Sequence, residues 1–213
     1  MSNNISSELK NLTRFLRSWY SEIIVVSFAT LFMILHHHHQ IENFWISSFV
    51  YFAVLPILTI LIFLRKNPLD FGLRIGNYKV WIPYVLIFLA IAVPVLYLSS
   101  DMSSVQGYYR NHRNFDLLTY AWQMGIYMLG WEFLFRGFML FGLKDKFKEG
   151  SIIIQMIPFV LLHFGKPEIE TISTIFTGLL WGYICYRGKS FWPAFIMHMV
   201  VNVSNKAFVL GLF

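Results

Sequence analysis

One acidic and one basic residue lie four positions apart inside a long apolar stretch of the chain. Glu132 and Arg136 fall within residues 117–143, and this spacing places both side chains on one face of a helix, with the acid nearer the N-terminus. A charged side chain within such an apolar helix is costly and marks a candidate functional site. The pair therefore indicates either a site for chemistry or a structural salt bridge, and the spacing is compatible with both.

Two further pairs of residues place a histidine at the same helical spacing. Phe159 and His163 lie four residues apart in one apolar stretch, and His198 and Asn202 lie four apart in another, so each pair shares a helix face. With a rise of about 1.5 Å per residue, Glu132, His163 and Asn202 lie roughly 17–18 Å from the predicted cytoplasmic ends of their helices. His198 lies roughly 10 Å from its own helix end on the same rise. We therefore expect three helices to bring these groups together.

The chemistry open to such a set of side chains is hydrolysis. A carboxylate beside an imidazole can take a proton from water. A second imidazole and an amide can donate hydrogen bonds to the oxyanion that forms when water attacks a carbonyl. This route needs no cofactor; alternatively, Glu132, His163 and His198 can hold zinc or another divalent metal ion with one coordination position open. Hydrolysis of a peptide bond in or next to the membrane fits either route.

The composition indicates that these residues belong to a membrane protein. Hydrophobic residues make up 57% of the 213 residues and charged residues 13%, whereas soluble domains have about 45–50% and about 25%. The net charge of +6 arises from short basic clusters between apolar stretches, which is typical of cytoplasmic loops and not of a nucleic-acid-binding surface. The single cysteine, Cys185, excludes a disulfide framework. We expect membrane lipids as partners and no nucleic acid.

The apolar stretches predict an all-α membrane protein with about seven transmembrane helices. Residues 1–19 have apolar side chains at helical spacing among basic ones, and they predict a retained amphipathic helix at the membrane interface. Residues 20–213 show no repeat or linker and predict a single transmembrane domain. The predicted spans are residues 23–35, 44–64, 80–98, 117–143, 151–164, 172–186 and 191–213.

The Lys and Arg residues between the spans predict the orientation of this multi-pass protein. Twelve lie in the N-terminal segment and alternate loops, and three lie in the opposite loops. Because cytoplasmic loops carry the excess, the N-terminus is predicted in the cytoplasm and the C-terminus outside. The twelve are Lys10, Arg14, Arg17, Arg65, Lys66, Arg74, Lys79, Lys144, Lys146, Lys148, Arg187 and Lys189, and the three are Arg110, Arg113 and Lys166.

Four consecutive histidines, His36 to His39, follow the first predicted span. Such a run can bind a metal ion in an external loop, or it can simply end a span. Consecutive side chains point in different directions on any regular backbone, so they form a poorly preorganised metal site. The pattern favours a span end without catalytic work.

Three segments of the chain together resemble the CPBP family, which comprises CAAX proteases and bacteriocin-processing enzymes. Residues 131–137, with the sequence WEFLFRG, resemble the EExxxR segment of that family. Phe159 and His163 resemble its FxxxH motif, and His198 and Asn202 resemble its closing HxxxN pair. The segments occur in the family's order on successive apolar helices, and the resemblance runs from about residue 45 to residue 205.

The resemblance implies a CPBP-type intramembrane endopeptidase whose site opens toward the cytoplasm. Glu132 and His163 would then activate water, and Arg136 would anchor the glutamate segment. His198 and Asn202 would stabilise the oxyanion. The implied substrate is a membrane-associated or lipid-anchored peptide or protein.

One position departs from the family's pattern. Trp131 replaces the first glutamate of the motif, which is usually assigned as the catalytic base, and Glu132 matches the second. We expect an active peptidase in which Glu132 serves as the base. The alternative is a catalytically silent CPBP-like protein that acts as a membrane scaffold, an immunity factor or a regulator of a partner membrane protein.

Overall fold

The computed structural model describes residues 2–110 and 115–212, which form helices joined by short turns, with no strand among them. The all-α class predicted from the sequence is confirmed. Within the described residues we number the helices α1 to α9. Their bounds are Ser2–Ser18 (α1), Tyr20–His38 (α2), Phe44–Leu64 (α3), Tyr78–Ser99 (α4), Ser103–Tyr109 (α5), Leu117–Phe147 (α6), Gly150–Leu161 (α7), Glu168–Gly188 (α8) and Trp192–Val209 (α9).

Four of these helices, α2, α3, α4 and α6, are long and apolar enough to cross a membrane. They fit the integral membrane protein that the composition predicts. Helix α7 is apolar but only 12 residues long, and α8 and α9 carry more polar residues. The number of seven spans is therefore not confirmed. The position of α1 at the membrane surface stays a prediction, as does the boundary at residue 19 between an N-terminal segment and a transmembrane domain.

Helix α6 occupies the centre of the bundle and carries Glu132. Asp116 caps its start, because the carboxylate accepts a hydrogen bond of 2.7 Å from the backbone N–H of Thr119, and this interaction lowers the pKa of Asp116. Between Phe133 and Met139 the helix widens into π-helical turns, a feature that is frequent at functional sites. The side chains of this wide segment are fully buried against α2, α3, α7 and α8.

Contacts between distant segments define one end of the bundle, which we call the basic end. It comprises α1 and residues 65–79, 144–150 and 187–191, and it holds all twelve of the cationic residues counted above. The joining contacts run from Lys146 Nζ to Ser18 O (3.5 Å), from Lys66 Nζ to Asp145 Oδ2 (3.7 Å) and from Asn77 N to Gly188 O (2.7 Å).

The opposite end, which we call the tyrosine end, comprises residues 39–44, 100–110, 163–170 and 206–212. Its joining contacts run from Tyr109 Oη to Glu170 Oε2 (2.7 Å) and from Gln106 Nε2 to Val209 O (3.4 Å). Arg110, Lys166 and Lys206 lie here, and Arg113 lies outside the described residues. The two ends therefore differ in charge as the sequence predicts for loops on opposite sides of a membrane.

Helix bounds differ from the predicted ones mainly around the turn between α7 and α8. Helix α7 ends at Leu161, so His163 lies in the turn that follows and not within the helix. Helix α8 begins at Glu168 instead of residue 172. Its first turn is polar, so a search for apolar stretches does not detect it. The turn is helical because acidic residues are favourable at a helix N-terminus. The Thr171 hydroxyl also donates to the backbone oxygen of His163 at 2.8 Å.

The histidine run lies at the end of α2, which extends to His38. The His36 ring packs against Phe52, with ring centroids 4.5 Å apart. The run is thus a helix end that contacts α3.

Candidate active site

Glu132 and His198 are joined by a direct hydrogen bond between α6 and α9. His198 Nδ1 lies 2.6 Å from Glu132 Oε1, and the Glu132 side chain is fully buried. Because a carboxylate only accepts hydrogen bonds, Nδ1 carries the proton and donates it. Nε2 is then the ring nitrogen of His198 that is left for another partner.

Arg136 completes a row of three buried polar groups. Its Nη1 lies 3.2 Å from Oε1 and 3.1 Å from Oε2 of Glu132. The guanidinium carbon lies 3.8 Å from the centre of the Phe159 ring, within the range of a cation–π interaction. Nε and Nη2 of Arg136 have no hydrogen-bond partner among the described residues. The guanidinium therefore depends for its stabilisation on one carboxylate and on aromatic rings, of which Phe159 is the nearest and Trp181 lies 5.6 Å away.

The second histidine is fixed by the turn that follows α7. His163 Nδ1 lies 2.7 Å from the backbone oxygen of Phe159, which can only accept, so Nδ1 donates and Nε2 stays free. The His163 and His198 rings lie nearly parallel, at 27°, with centroids 6.4 Å apart. The predicted convergence of the two histidines is present in the structure, with both rings fixed through Nδ1.

Asn202 lies one helical turn beyond His198 on the same face of α9. Its Nδ2 donates a hydrogen bond of 3.2 Å to the backbone oxygen of His198. An amide nitrogen carries two hydrogens, so one N–H of Asn202 is not used by this bond. The remaining N–H is a potential donor to a ligand.

Two cavities meet at these side chains. The larger, of about 580 Å³, lies among α6, α8 and α9 toward the tyrosine end and is the more polar of the two. The smaller, of about 260 Å³, lies among α4, α8 and α9 and is mostly apolar. His163, His198 and Asn202 line both cavities, whereas Glu132 lines neither. The histidines and the amide therefore face space that a ligand can occupy, and the carboxylate lies behind His198.

Trp131 lines the larger cavity at the position where the family's motif has its first glutamate. Its ring centroid lies 5.5 Å from that of His163 and 5.9 Å from that of Phe52. The indole N–H has no hydrogen-bond partner among the described residues. An apolar ring thus takes the place next to His163 that a carboxylate has in the motif.

The predicted alternative of a three-ligand metal site finds no support in the geometry. Among residues 2–110 and 115–212, no three His, Cys, Asp or Glu side chains converge in a way that would hold a metal ion. Glu132 is bonded to Nδ1 of His198, and the free nitrogens of His198 and His163 are their Nε2 atoms. The three groups therefore do not converge on one point.

Four residues at the mouth of the larger cavity were not among the predicted site residues. Tyr109 Oη contacts Lys166 Nζ at 2.9 Å and Glu170 Oε2 at 2.7 Å, and the two charged groups lie 3.3 Å apart. Lys206 Nζ donates to the backbone oxygen of Tyr109. The i,i+4 spacing of Lys166 and Glu170, and of Asn202 and Lys206, was the signal in the sequence that could have found the three charged residues, whereas no such signal marks Tyr109.

The fold and the site define a helical membrane protein with a buried carboxylate–imidazole pair beside an internal cavity. Residues 113–204 match the sequence model of the family described as type II CAAX prenyl endopeptidase Rce1-like. The matched stretch contains Glu132, His163, His198 and Asn202. The match covers a little under half of the chain and supports the CPBP membership that the motifs predict, and the matched family is one of proteases. No curated protein and no solved structure matches the chain.

Proposed function

We propose that this protein is an intramembrane endopeptidase that hydrolyses a peptide bond in a membrane-associated or lipid-anchored substrate. The observation that carries this proposal is the position of His163, His198 and Asn202 around shared cavities, with Glu132 bonded to His198. The cavities meet at these residues, so a substrate's apolar part can occupy the smaller one while its peptide reaches the polar one. The matched protease family supports hydrolysis in general.

In the proposed mechanism His163 takes the proton from the attacking water. Its Nδ1–H is donated to Phe159, so Nε2 of the neutral ring has a lone pair to accept that proton. His163 then passes the proton to the leaving amine, which balances the hydrolysis. A well-placed base of this kind contributes about 10²–10⁴-fold to the rate.

Glu132 acts through His198 in this mechanism, which changes the role predicted from the sequence. Its carboxylate lines neither cavity, but it stabilises positive charge on His198 through the 2.6 Å contact. A protonated His198 donates from Nε2 to the oxyanion, and the unused N–H of Asn202 donates beside it. The predicted oxyanion donors are kept, and Glu132 becomes a positioning residue.

The test is cleavage of lipid-anchored peptides by the purified protein in proteoliposomes, with fragments identified by mass spectrometry. We expect His163→Ala and His198→Ala each to lower kcat by about 100-fold or more, from the loss of a base or of an oxyanion donor. His38→Ala is the matched control, because His38 is exposed at the end of α2 and should leave kcat unchanged. Equal cleavage by all four proteins would refute the assigned site.

A silent CPBP-like protein is the second candidate, and Trp131 is the observation that favours it. Under this alternative the cavity binds a partner without hydrolysis, because the carboxylate expected beside His163 is missing. Wild-type protein that folds and yields no fragments, while Trp131→Glu yields them, would establish the alternative. Fragments from the wild type that depend on His163 would exclude it.

A further inference from the structure

Both cavities extend from the middle of the bundle toward the tyrosine end. The larger one is lined by the first half of α6, the start of α8 and α9 from His198 onward, and by Tyr108 and Lys166. The smaller one is lined by the second half of α4, the first two thirds of α8 and the middle of α9, together with Phe159 of α7. Within the described part of the chain, no residue of the basic end lines either cavity.

The side of the site that faces the basic end is closed by packed side chains. Phe133, Leu140 and Leu143 of α6 are fully buried, as is Phe191 before α9. The Phe133 and Phe191 rings are in edge-to-face contact, with centroids 5.7 Å apart. A peptide that approached from the basic end would have to displace this aromatic and aliphatic layer.

The distribution of Lys and Arg residues indicates which side of the membrane each end of the bundle faces. The basic end carries twelve loop Lys and Arg residues and the opposite loops carry three, and the side with the excess is normally cytoplasmic. Helix α1 contributes Lys10, Arg14 and Arg17 at the same end, where anionic lipids of the cytoplasmic leaflet attract cations.

We infer that the catalytic cavity opens to the extracytoplasmic side and takes its substrate from there. The substrate class is a peptide segment of an exported or membrane-anchored protein that lies outside the cytoplasm. The claim that a substrate enters this cavity rests on the proposed function. The direction in which the cavity opens does not depend on catalysis. It differs from the cytoplasmic opening that the family resemblance implies.

The mouth on that side has a fixed polar rim. Tyr109 bridges Lys166 and Glu170, and burial together with the charge of Glu170 raises the pKa of Tyr109, so the phenol stays protonated and keeps donating to the carboxylate. Lys206 holds the backbone of Tyr109 from α9. These contacts attach α5 to α8 and α9 and leave an opening that is lined by charged and phenolic groups, as suits a peptide that arrives from water.

Cysteine labelling in sealed bacterial spheroplasts tests the orientation without any cleavage assay. Asp101→Cys and Asp145→Cys are a matched pair, because both aspartates are exposed and they lie at the tyrosine end and the basic end respectively. The native Cys185 is fully buried and provides the unlabelled background. We expect a membrane-impermeant maleimide to label Asp101→Cys at once and Asp145→Cys only after permeabilisation. The reverse order would overturn the inference.

A third variant tests the opening itself. Met124 lines the larger cavity, so Met124→Cys should react with the impermeant maleimide in sealed spheroplasts, more slowly than Asp101→Cys and much faster than Cys185. Reaction of Met124→Cys only after permeabilisation would show a cytoplasmic opening and refute the inference. A failure of peptide cleavage would leave these labelling results unchanged, so the two proposals fail separately.

Discussion

At the scale of single residues, one buried carboxylate contacts two partners, a guanidinium and an imidazole. Glu132 contacts Arg136 on one side and His198 on the other, and all three side chains are buried. Neither Arg136 nor His198 has another carboxylate within 4 Å among the described residues. Breaking such a group leaves an uncompensated buried charge, which costs more than the group contributes when intact.

Glu132→Gln should therefore lower both stability and activity. The amide keeps the size of the side chain but leaves Arg136 without its counter-charge, and we expect a loss of about 3–5 kcal/mol in the free energy of unfolding. The double variant Glu132→Gln/Arg136→Met removes both charges and should recover much of that stability while cleavage stays lost. Thermal unfolding in detergent measures the first effect and peptide cleavage the second.

Glu168→Gln is the matched control for that experiment, because Glu168 is exposed on the first turn of α8. It should change neither quantity. An unfolding temperature of Glu132→Gln equal to that of the control would contradict a charged Glu132–Arg136 pair.

Sequence spacing and depth identified which groups could meet but not how each one faces. His163, His198 and Asn202 converge as expected, because i,i+4 spacing fixes a helix face and the rise fixes depth. The direction of the Glu132 side chain could not be predicted. It depends on the π-helical turns that begin at Phe133 and on the hydrogen bond that His198 donates to the carboxylate. Tyr109 was missed because its partners lie 57 and 61 residues away along the chain.

At the scale of helices, a close approach between α3 and α6 sets the position of Glu132. A Cβ placed on Gly130 would lie 2.6 Å from the backbone oxygen of Ser48, which is closer than real contacts allow. Small residues permit such backbone approaches between membrane helices. The Ser48 hydroxyl also donates to the backbone oxygen of Tyr127 at 3.2 Å, so the two helices are joined at this point.

Gly130→Ala should push α3 away from α6 and destabilise the protein by about 1–3 kcal/mol, the usual cost of overpacking. Gly125→Ala on the same helix is the matched control, because its Cβ would meet only Met199 Cε at 3.8 Å. We expect the control to keep or slightly raise the unfolding temperature, since alanine favours a helix over glycine. Equal unfolding temperatures for both variants would mean that α3 and α6 do not touch at Gly130.

The helices themselves were predictable to the extent that lipid-facing residues are apolar. The bounds of α3 match the predicted span, because its ends coincide with the change from apolar to polar residues. The predicted start of α8 was wrong, because its first turn is polar and one of its residues, Glu170, is held by Tyr109 and Lys166 at the mouth of the cavity. Hydropathy reports the medium around a residue and not its backbone conformation.

At the scale of the whole molecule, the bundle is polar at both ends for different reasons. Most cations of the basic end are exposed and form no ion pair with an acidic residue among the described residues. The charged groups of the tyrosine end are instead bonded to one another across the mouth of a cavity. The first pattern is what an anionic membrane surface attracts, and the second is what a binding site requires. Under the proposed orientation and function, the two properties depend on different ends of one bundle.

Helix α1 provides the last test at this scale. Its apolar residues Leu9, Leu12 and Phe15 are exposed, and its cations lie among them, as in helices that rest on a membrane surface. Lys146 of α6 holds its end, with Nζ 4.2 Å from the Trp19 ring. The rest of α1 therefore needs lipid to cover its apolar face.

We expect α1 to resist proteinase K in nanodiscs that contain anionic lipid and to be cleaved faster in zwitterionic nanodiscs. Each basic residue near an anionic surface contributes about 1 kcal/mol, so replacing Lys10, Arg14 and Arg17 by Gln should weaken binding by about 3 kcal/mol, or roughly 100-fold. High salt should reduce the protection of the wild type in the same direction, because it screens exposed charges. Identical cleavage of α1 in both lipids would show that the bundle, and not the membrane surface, covers this helix.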